Sequence, residues 1–552
     1  MTLKTLLKSM NKKRIVYISD FFSEDVLGGA ELNDAELLSV LEVSGYNVSK
    51  IRSKKVSASF LEAHKDCFFI ISNFVLLTDD CKNTLSDLDY LIYEHDHKYI
   101  RQRNPAFFKD FQAPLHEIVN YYFYKNAKKI ICQSDFHKEI IKKNLQLDNI
   151  VSVGGNLWPD KILEKIRSLS KNNKDQKYSI MGSNTPHKNT QGSIKHCVKQ
   201  DKEYEVISDK NYEKFLEKLS RNEGFVFLPK SPETLSRVVV EARMLGCKVI
   251  TNQMVGAAAE EWFNLKGEHL IEYMFEKKKE IASVVENIIN NTDHKEKKPK
   301  VSIISTFYKA EEFLEGFLED IVSQTIFGEC ELIIIDSGSP GREREIVESY
   351  CKKYNNIKYI RYEDRFPPTK GHNIAMLHSR SKYITWAMID DRKAPDFLET
   401  LYHELETNRG VDLVYGNCLT TSNKNEKISE TKSQTFSVHS LNDFSRENMI
   451  KCLPGPMPMW TTRMINKTGF FNDVDHDFCD DWELWLRAVD KGSIFKKVHK
   501  IVGLYLEGGR SQIQNNLAQR KEEAEVFFKY RHVFGSNYDK FFSYFKQFLE
   551  LD

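Results

Sequence analysis

Runs of buried-strand type alternate with helical spacing along almost the whole chain, and that alternation confines it to α/β folds with parallel sheets. RIVYISD (14–20) leads into the Gly-Gly turn and helical stretch VLGGAELNDAELLSVLEVSGYNV, and strands of the same type recur at CFFIIS, YLIYEHD and KIICQS. A second set runs from YSIMGSN (178–184) through GFVFLPK and CKVITN. The polar stretch NTDHKEKKPK (291–300) breaks the pattern, and the alternation then restarts at VSIIST (301–306), CELIIIDSGS and IKYIRY. One core stops growing at about 250–300 residues, so in a chain of 552 the restart marks a new domain. The divisions read this way are a leader (1–13), two lobes (14–165 and 166–290), a linker (291–300), a further domain (301–512) and C-terminal helices (513–552).

Lys and Arg number 80 against 79 acids, a net charge of +1, which offers no basic surface for nucleic acid. The ten cysteines stand singly, without CxxC or Cys/His spacing. That pattern suits reduced thiols in a cytoplasmic protein and argues against zinc. The most apolar window, CFFIISNFVLL (67–77), is shorter than the roughly 18 residues of a spanning helix. The N-terminal MTLKTLLKSMNKKR lacks a signal-peptide pattern. An amphipathic contact with the inner face of a membrane remains compatible with it.

Acids close several strands of the C-terminal half. Asp336 ends ELIIID, Asp390 and Asp391 end WAMIDD, and Asp480 and Asp481 precede the helical WELWLRAVDKG. A lone aspartate at a strand end is usually a turn or cap residue. In open α/β sheets, however, ligands bind at the carboxyl ends of strands. Acids gathered there can hold a divalent cation, accept hydrogen bonds from a base or sugar, or remove a proton. A nucleotide sugar needs all three, because its dianionic leaving group must be neutralised and its acceptor hydroxyl deprotonated.

These segments resemble the glycosyltransferases of family 2, which have the GT-A fold. VSIISTFYKAEEFLEGFLEDIVSQTIFGECELIIIDSGSPG resembles the family's opening, and GHNIAMLHSRSKYITWAMIDDRKAPDFLETL the approach to its DXD motif. GFFNDVDHDFCDDWELWLRAVDKGSIFKKV resembles the later acidic block. The resemblance implies a metal-dependent, inverting transfer from a nucleotide sugar to a glycan or glycolipid, using Mn²⁺ or Mg²⁺. It assigns Thr306 and Asp336 to the base, Asp390 to the metal, Asp481 to the general base with Asp480 beside it, and Lys370 and Asn373 to the donor pocket. The first acid of the DXD motif is Met388 here, which leaves ribose binding to the backbone or Asp391. Glu507, in GLYLEGGRSQ, stands where the family often has a histidine. Trp482 suits a stacking platform for the acceptor, whereas His372 and His378 read as structural.

In the N-terminal half, GGAEL (28–32) places Gly29 at a helix start, where backbone can approach a phosphate. In SPETLSRVVVEARMLGCKVITN (231–252), Glu233 and Glu241 are eight residues apart, just over two helical turns. This resembles the E-x7-E signature of GT-B glycosyltransferases, family 4 in particular. The resemblance gives Glu233 to the donor sugar and Glu241 to the ribose. YSIMGSNTPHKN resembles the family's diphosphate loop with Lys188 in place, but Ser183 stands at the arginine position. Lysine does not reproduce the lost bidentate contact. His95, Asp96 and His97, in YEHDHKYIRQRNP, form either an acceptor-side cluster or a surface loop.

The whole reads as twin Rossmann-like GT-B lobes followed by a GT-A domain, acting together on a cell-surface glycan. Fusion would raise the local concentration of the glycan passed between sites. Two alternatives stay open: a degenerate N-terminal half that only holds acceptor, and a non-catalytic glycan- or nucleotide-binding protein. Sugar-phosphate nucleotidyl transfer is disfavoured, since no Gly-rich, Lys-bearing phosphate loop follows the first strand.

Overall fold

A computed structural model describes residues 12–291, 297–429, 442–507 and 517–549. Residues 1–11 of the expected leader, 292–296 of the linker and 508–512 of GLYLEGGRSQ lie outside the described residues. The chain forms two units: Met1–Ala113 with Asn120–His294, and Pro114–Val119 with Lys295–Asp552.

The first unit contains two parallel sheets. One joins β1 (Ile15–Ser19), β2 (Val48–Arg52), β3 (Phe68–Ile71), β4 (Tyr90–Tyr93), β5 (Ile130–Cys132) and β6 (Ile150–Ser152) in the order β2-β1-β3-β4-β5-β6. Strands β1, β3 and β4 are buried on both faces, which is why they read as unbroken apolar runs. The second sheet joins β7 (Asp175–Met181), β8 (Tyr204–Ile207), β9 (Asn222–Phe227) and β10 (Lys248–Thr251) in the order β10-β9-β7-β8. The division between the two cores does not follow residue 165. Helix Asp160–Leu169 gives Ile162, Leu163 and Ile166 to the second core. Helix Glu268–Asn290 begins in that core with Leu270, Ile271 and Met274 and ends in the first with Ile281, Val285 and Ile289. Apolar spacing shows that a helix has a buried face but not which sheet it covers.

The second unit is built on one eight-stranded sheet. Strands β11 (Val301–Phe307), β12 (Glu331–Ser337), β13 (Ile357–Tyr362) and β14 (Tyr383–Trp386) run parallel in the order β13-β12-β11-β14. The sheet continues through β17 (Pro458–Thr461), β16 (Leu413–Thr421), β18 (Phe495–Leu506) and the short β15 (Arg392–Lys393). Beneath β14, Trp386 stacks on Phe471 at 5.7 Å and 13° and meets Trp460 and Trp485 edge-on, each at 5.7 Å. The inserted segment Pro114–Val119 belongs to this unit. Leu115 accepts the Phe470 N–H at 3.3 Å, and the His116 carbonyl accepts from Arg487 Nη1 at 3.3 Å. A Cβ on Gly469 (φ +78°) would fall 2.2 Å from that carbonyl oxygen, so glycine is required there for space as well as for conformation.

Candidate active site

The carboxyl ends of the parallel strands carry the acids. Register pairs Phe307 with Asp336 and Ile304 with Trp386, so β11, β12 and β14 end side by side. Asp336 is fully buried. Its Oδ1 accepts the Ser339 N–H at 2.8 Å, and its Oδ2 accepts from Tyr359 (2.7 Å) and Arg361 (2.6 Å). Burial, and then the bond to Asp336, pushes the Tyr359 hydroxyl far up. A carboxylate expected to bind a base is thus already anchored by three donors, with only its remaining lone pairs open. Tyr359 and Arg361 carried no sequence signal.

Asp390 and Asp391 form a turn after β14. Burial raises the Asp390 carboxyl. Burial foremost also pushes Asp391 up to about 7, with the Asp390 charge adding to the shift and Lys393 opposing it. Asp391 Oδ1 accepts the Leu506 N–H at 3.2 Å, and its Oδ2 is buried without a hydrogen-bond partner among the described residues. Lys393 Nζ is likewise buried and makes no hydrogen bond among the described residues. Among the described residues no group of three His, Cys, Asp or Glu could hold a metal by itself. Two hard carboxylates still fit Mg²⁺ or Mn²⁺, which are commonly held by one or two carboxylates with water and substrate phosphates.

Helix Pro368–His378 joins these strand ends to the second acid pair. A Cβ on Gly371 would lie 2.2 Å from Thr306 Oγ1, so glycine lets the helix sit directly on the end of β11. Gly371→Ala should cost about 1–3 kcal/mol through overpacking, read as a lower denaturant midpoint. An unchanged midpoint would show that the contact yields freely. From the same turn, Thr369 Oγ1 donates to Asp480 Oδ2 at 2.7 Å.

Asp480 and Asp481 open helix Asp480–Asp490. Burial, and then the Asp481 charge, drives the Asp480 carboxyl well above the carboxylate range. Asp481 accepts from the Trp482 N–H at 2.6 Å and from Cys452 Sγ at 3.3 Å. The loop ahead of the helix is held by Glu522, whose carboxylate accepts the N–H groups of Asp477, Phe478 and Cys479. Glu522 lies in helix Leu517–Lys529, and no sequence pattern linked it to the acid pair. Asp480→Asn locks that position neutral. Any step near pH 7 that comes from its ionisation should therefore vanish from a pH–rate profile, and a step that persists unchanged would separate Asp480 from it.

Other expected residues stand elsewhere. Asn373 is fully buried and exchanges hydrogen bonds with the Phe471 backbone, both at 3.0 Å, which makes it a brace rather than a pocket wall. Lys370 is exposed, its ammonium 5.5 Å from the Phe366 ring. Trp482 is no open platform: its Nε1 donates to the Met449 carbonyl at 2.8 Å, and its ring meets Phe534 and Phe545. His372 is buried against Trp386, and burial lowers it to about 4. The Glu507 N–H donates to the Thr421 carbonyl at 2.7 Å.

In the first unit a cavity of about 520 Å³ is lined by Gly28, Gly29, His95, Lys188, Glu233 and Glu241, among others. Lys188 Nζ lies 2.8 Å from both oxygens of Glu233. Glu241 accepts from Trp158 Nε1 at 3.0 Å and the Tyr212 hydroxyl at 2.6 Å, so the residue expected at the ribose is already engaged. Ser183 lines a neighbouring pocket. The surface-loop alternative holds for neither histidine. The His95 side chain is buried between Asp34 (2.8 Å) and Gln133 (2.7 Å), and His97 bonds the Tyr99 hydroxyl at 2.8 Å, whereas Asp96 is half-buried beside Arg103. All ten cysteines are free, and among the described residues no helix is long and apolar enough to cross a membrane.

Comparison with known proteins places the chemistry. Residues 302–470 match the family model described as Glycosyl transferase family 2, a span that includes Asp336 and Asp390 but ends before Asp480. An uncharacterized glycosyltransferase, MJ1057, of Methanocaldococcus jannaschii is 21% identical over 41% of this chain and 76% of its own length. Glycosyltransferase GlyG of Streptococcus pneumoniae is 26% identical over 21% of this chain and 38% of its own length. Among solved structures, S. aureus TarS 1–349 in complex with UDP-GlcNAc aligns with a TM-score of 0.36 and 14% identity, over 44% of this chain and 72% of that one. Residues 302–470 are thus similar to family 2 glycosyltransferases, and the chain is a nucleotide-sugar-dependent glycosyltransferase.

Proposed function

We propose that the second unit transfers a sugar, with inversion, from a nucleoside-diphosphate donor to a hydroxyl of a cell-surface glycan or glycolipid. The observation that carries this reading is the bond from Thr369 to Asp480 on the helix whose Gly371 touches Thr306, for it ties the ends of β11 and the acid pair into one site. Asp336, steadied by Arg361 and Tyr359, and Thr306 hold the base. Asp391 and Lys370 face the donor's sugar-phosphate part. Asp390 would hold Mn²⁺ or Mg²⁺, which when bound neutralises charge on the departing diphosphate. Asp481 accepts the proton of the acceptor hydroxyl as it attacks, while the Asp480 carboxyl, raised by burial and by the Asp481 charge, gives up its own proton less readily than an ordinary aspartate. The first unit, with Glu233, Lys188 and Gly29 on its cleft, is read as a second donor site, which makes the chain bifunctional. It acts in the cytoplasm, at the inner face of the membrane where such acceptors lie.

Asp390→Ala should abolish the Mn²⁺ dependence of nucleotide binding in calorimetric titration of the full chain. Binding that remains equally Mn²⁺-dependent would remove Asp390 from the metal site.

A further inference from the structure

The cleft of the first unit keeps buried polar atoms that its own fold does not satisfy. Arg237 opens helix Arg237–Met244 and is 8% exposed. Its guanidinium lies 4.4 Å over the Trp158 ring, and its Nη1 donates to the Leu157 carbonyl at 2.6 Å. Nε is ion-paired with the buried Glu241 at 3.6 Å, too long for a hydrogen bond, and neither Nε nor Nη2 has a hydrogen-bond partner among the described residues. Asn156, 2% exposed, leaves its Oδ1 without a hydrogen-bond partner among the described residues. Both residues line the cavity of about 520 Å³, within the ordinary range for small-molecule sites. Leaving a buried donor unmet costs about 1–3 kcal/mol, and more when it is charged. Such a residue on a cavity wall is explained most simply by a ligand that meets it.

The ligand's chemistry follows from the walls. Arg237, Lys188 and Lys210 bring three cations to the cavity and Asp209, Glu233 and Glu241 three acids; Lys188 is spent on Glu233, so the buried donors left for a ligand are those of Arg237. A guanidinium offers a planar donor fork suited to phosphate oxygens, and its stacking on Trp158 fixes that plane. The unmet acceptor on Asn156 calls for a ligand that also donates, as a ribose or sugar hydroxyl does. Gly29 lets Arg237 take its place, since a Cβ there would lie 3.3 Å from Arg237 Cδ. We propose that this cavity binds a nucleoside diphosphate, with Arg237 as its phosphate-binding cation and Asn156 accepting from a ligand hydroxyl. Arg237 then supplies, from a different element, the guanidinium that is absent at Ser183. The inference rests on reading the first unit as a donor site and does not require that unit to be catalytic.

The test is calorimetric titration of the full chain in EDTA with UDP, GDP, CDP, dTDP and inorganic pyrophosphate. Wild type should bind one of the nucleotides without metal and more tightly than pyrophosphate. Arg237→Met should weaken both by at least about tenfold, the scale of one charge-assisted contact. Arg237→Lys, which keeps the charge and stem but not the fork, should weaken them less. If Arg237→Met fails to fold, as judged by its thermal melt, the lysine variant decides. Unchanged affinity in the folded variant used, or no metal-free binding by wild type, overturns the proposal. Equal affinity for pyrophosphate and every nucleotide overturns its nucleoside part. A Glu233→Gln variant separates this from the broader reading. Nucleotide bound through Arg237 with no product dependent on Glu233 would end the second-transferase reading and leave this one standing. Glu233-dependent transfer with Arg237-independent binding would do the reverse.

Discussion

Asp481→Asn should lower the rate of transfer by about 10²- to 10⁴-fold, the usual contribution of a positioned base, while nucleotide affinity stays within about threefold of wild type. Asparagine keeps the oxygen that accepts the Trp482 N–H, so the start of the helix should hold its shape. What disappears is the negative charge beside Asp480, and with it the acceptor for the hydroxyl proton. Initial rates of nucleotide release, with binding measured in parallel, decide the matter. A variant with wild-type turnover would show that the base lies elsewhere, and an equal fall in affinity would make Asp481 a binding residue.

Glu483→Ala should destabilise the second unit by about 3–5 kcal/mol, as expected when one partner of a buried ionic network is removed. Glu483 is 1% exposed. It pairs with Arg487 Nη2 at 2.8 Å and Lys529 at 3.0 Å, and accepts from the Tyr530 hydroxyl at 2.5 Å. Arg487 in turn donates to the carbonyls of Thr468 and Phe470. Truncation would leave the guanidinium buried without its counter-charge. Burial alone would raise the Glu483 carboxyl, but Arg487 and Lys529 outweigh it and hold the group down at about 2. A depressed carboxylate stabilises fully above its unfolded value of about 4.3 and loses that contribution as pH falls towards the folded value. The gap between wild type and Glu483→Gln should therefore be constant from pH 7 to about 5 and close between about 4.5 and 2. A gap under about 1 kcal/mol at pH 7 would mean the network is worth no more than an exposed pair.

The strand pattern made β1, β3, β4 and the parallel strands β11, β12 and β14 legible because strands buried on both faces are apolar without interruption, and WAMIDD showed where one of them ends. Strands β15 to β18, which add antiparallel pairs to the eight-stranded sheet, gave no such signal. The acids were legible for the same reason: charge directly after an apolar run is visible in one dimension. Their partners were not. Arg361, Thr369 and Glu522 look like ordinary surface residues until the fold brings them to Asp336, Asp480 and the loop before helix Asp480–Asp490. Asn373 and Trp482 erred the other way, since a motif position cannot show that an amide is already spent on the Phe471 backbone, or that C-terminal helices cover the indole. Arg237 was hidden between two glutamates that drew attention to themselves.

The placement of Pro114–Val119 bears on how such a chain could be assembled or taken apart. A simple gene fusion would join two free-standing modules at one point, and the linker at 291–300 looks like that point. Yet the second unit takes six residues from upstream of it. A fragment starting at the linker would lose the carbonyls that receive Phe470 and Arg487, and Gly469 would face an empty slot where His116 belongs. Exchange of this transferase module between related proteins would have to carry a hexapeptide from the other half along with it, so the two halves are bound to diverge together.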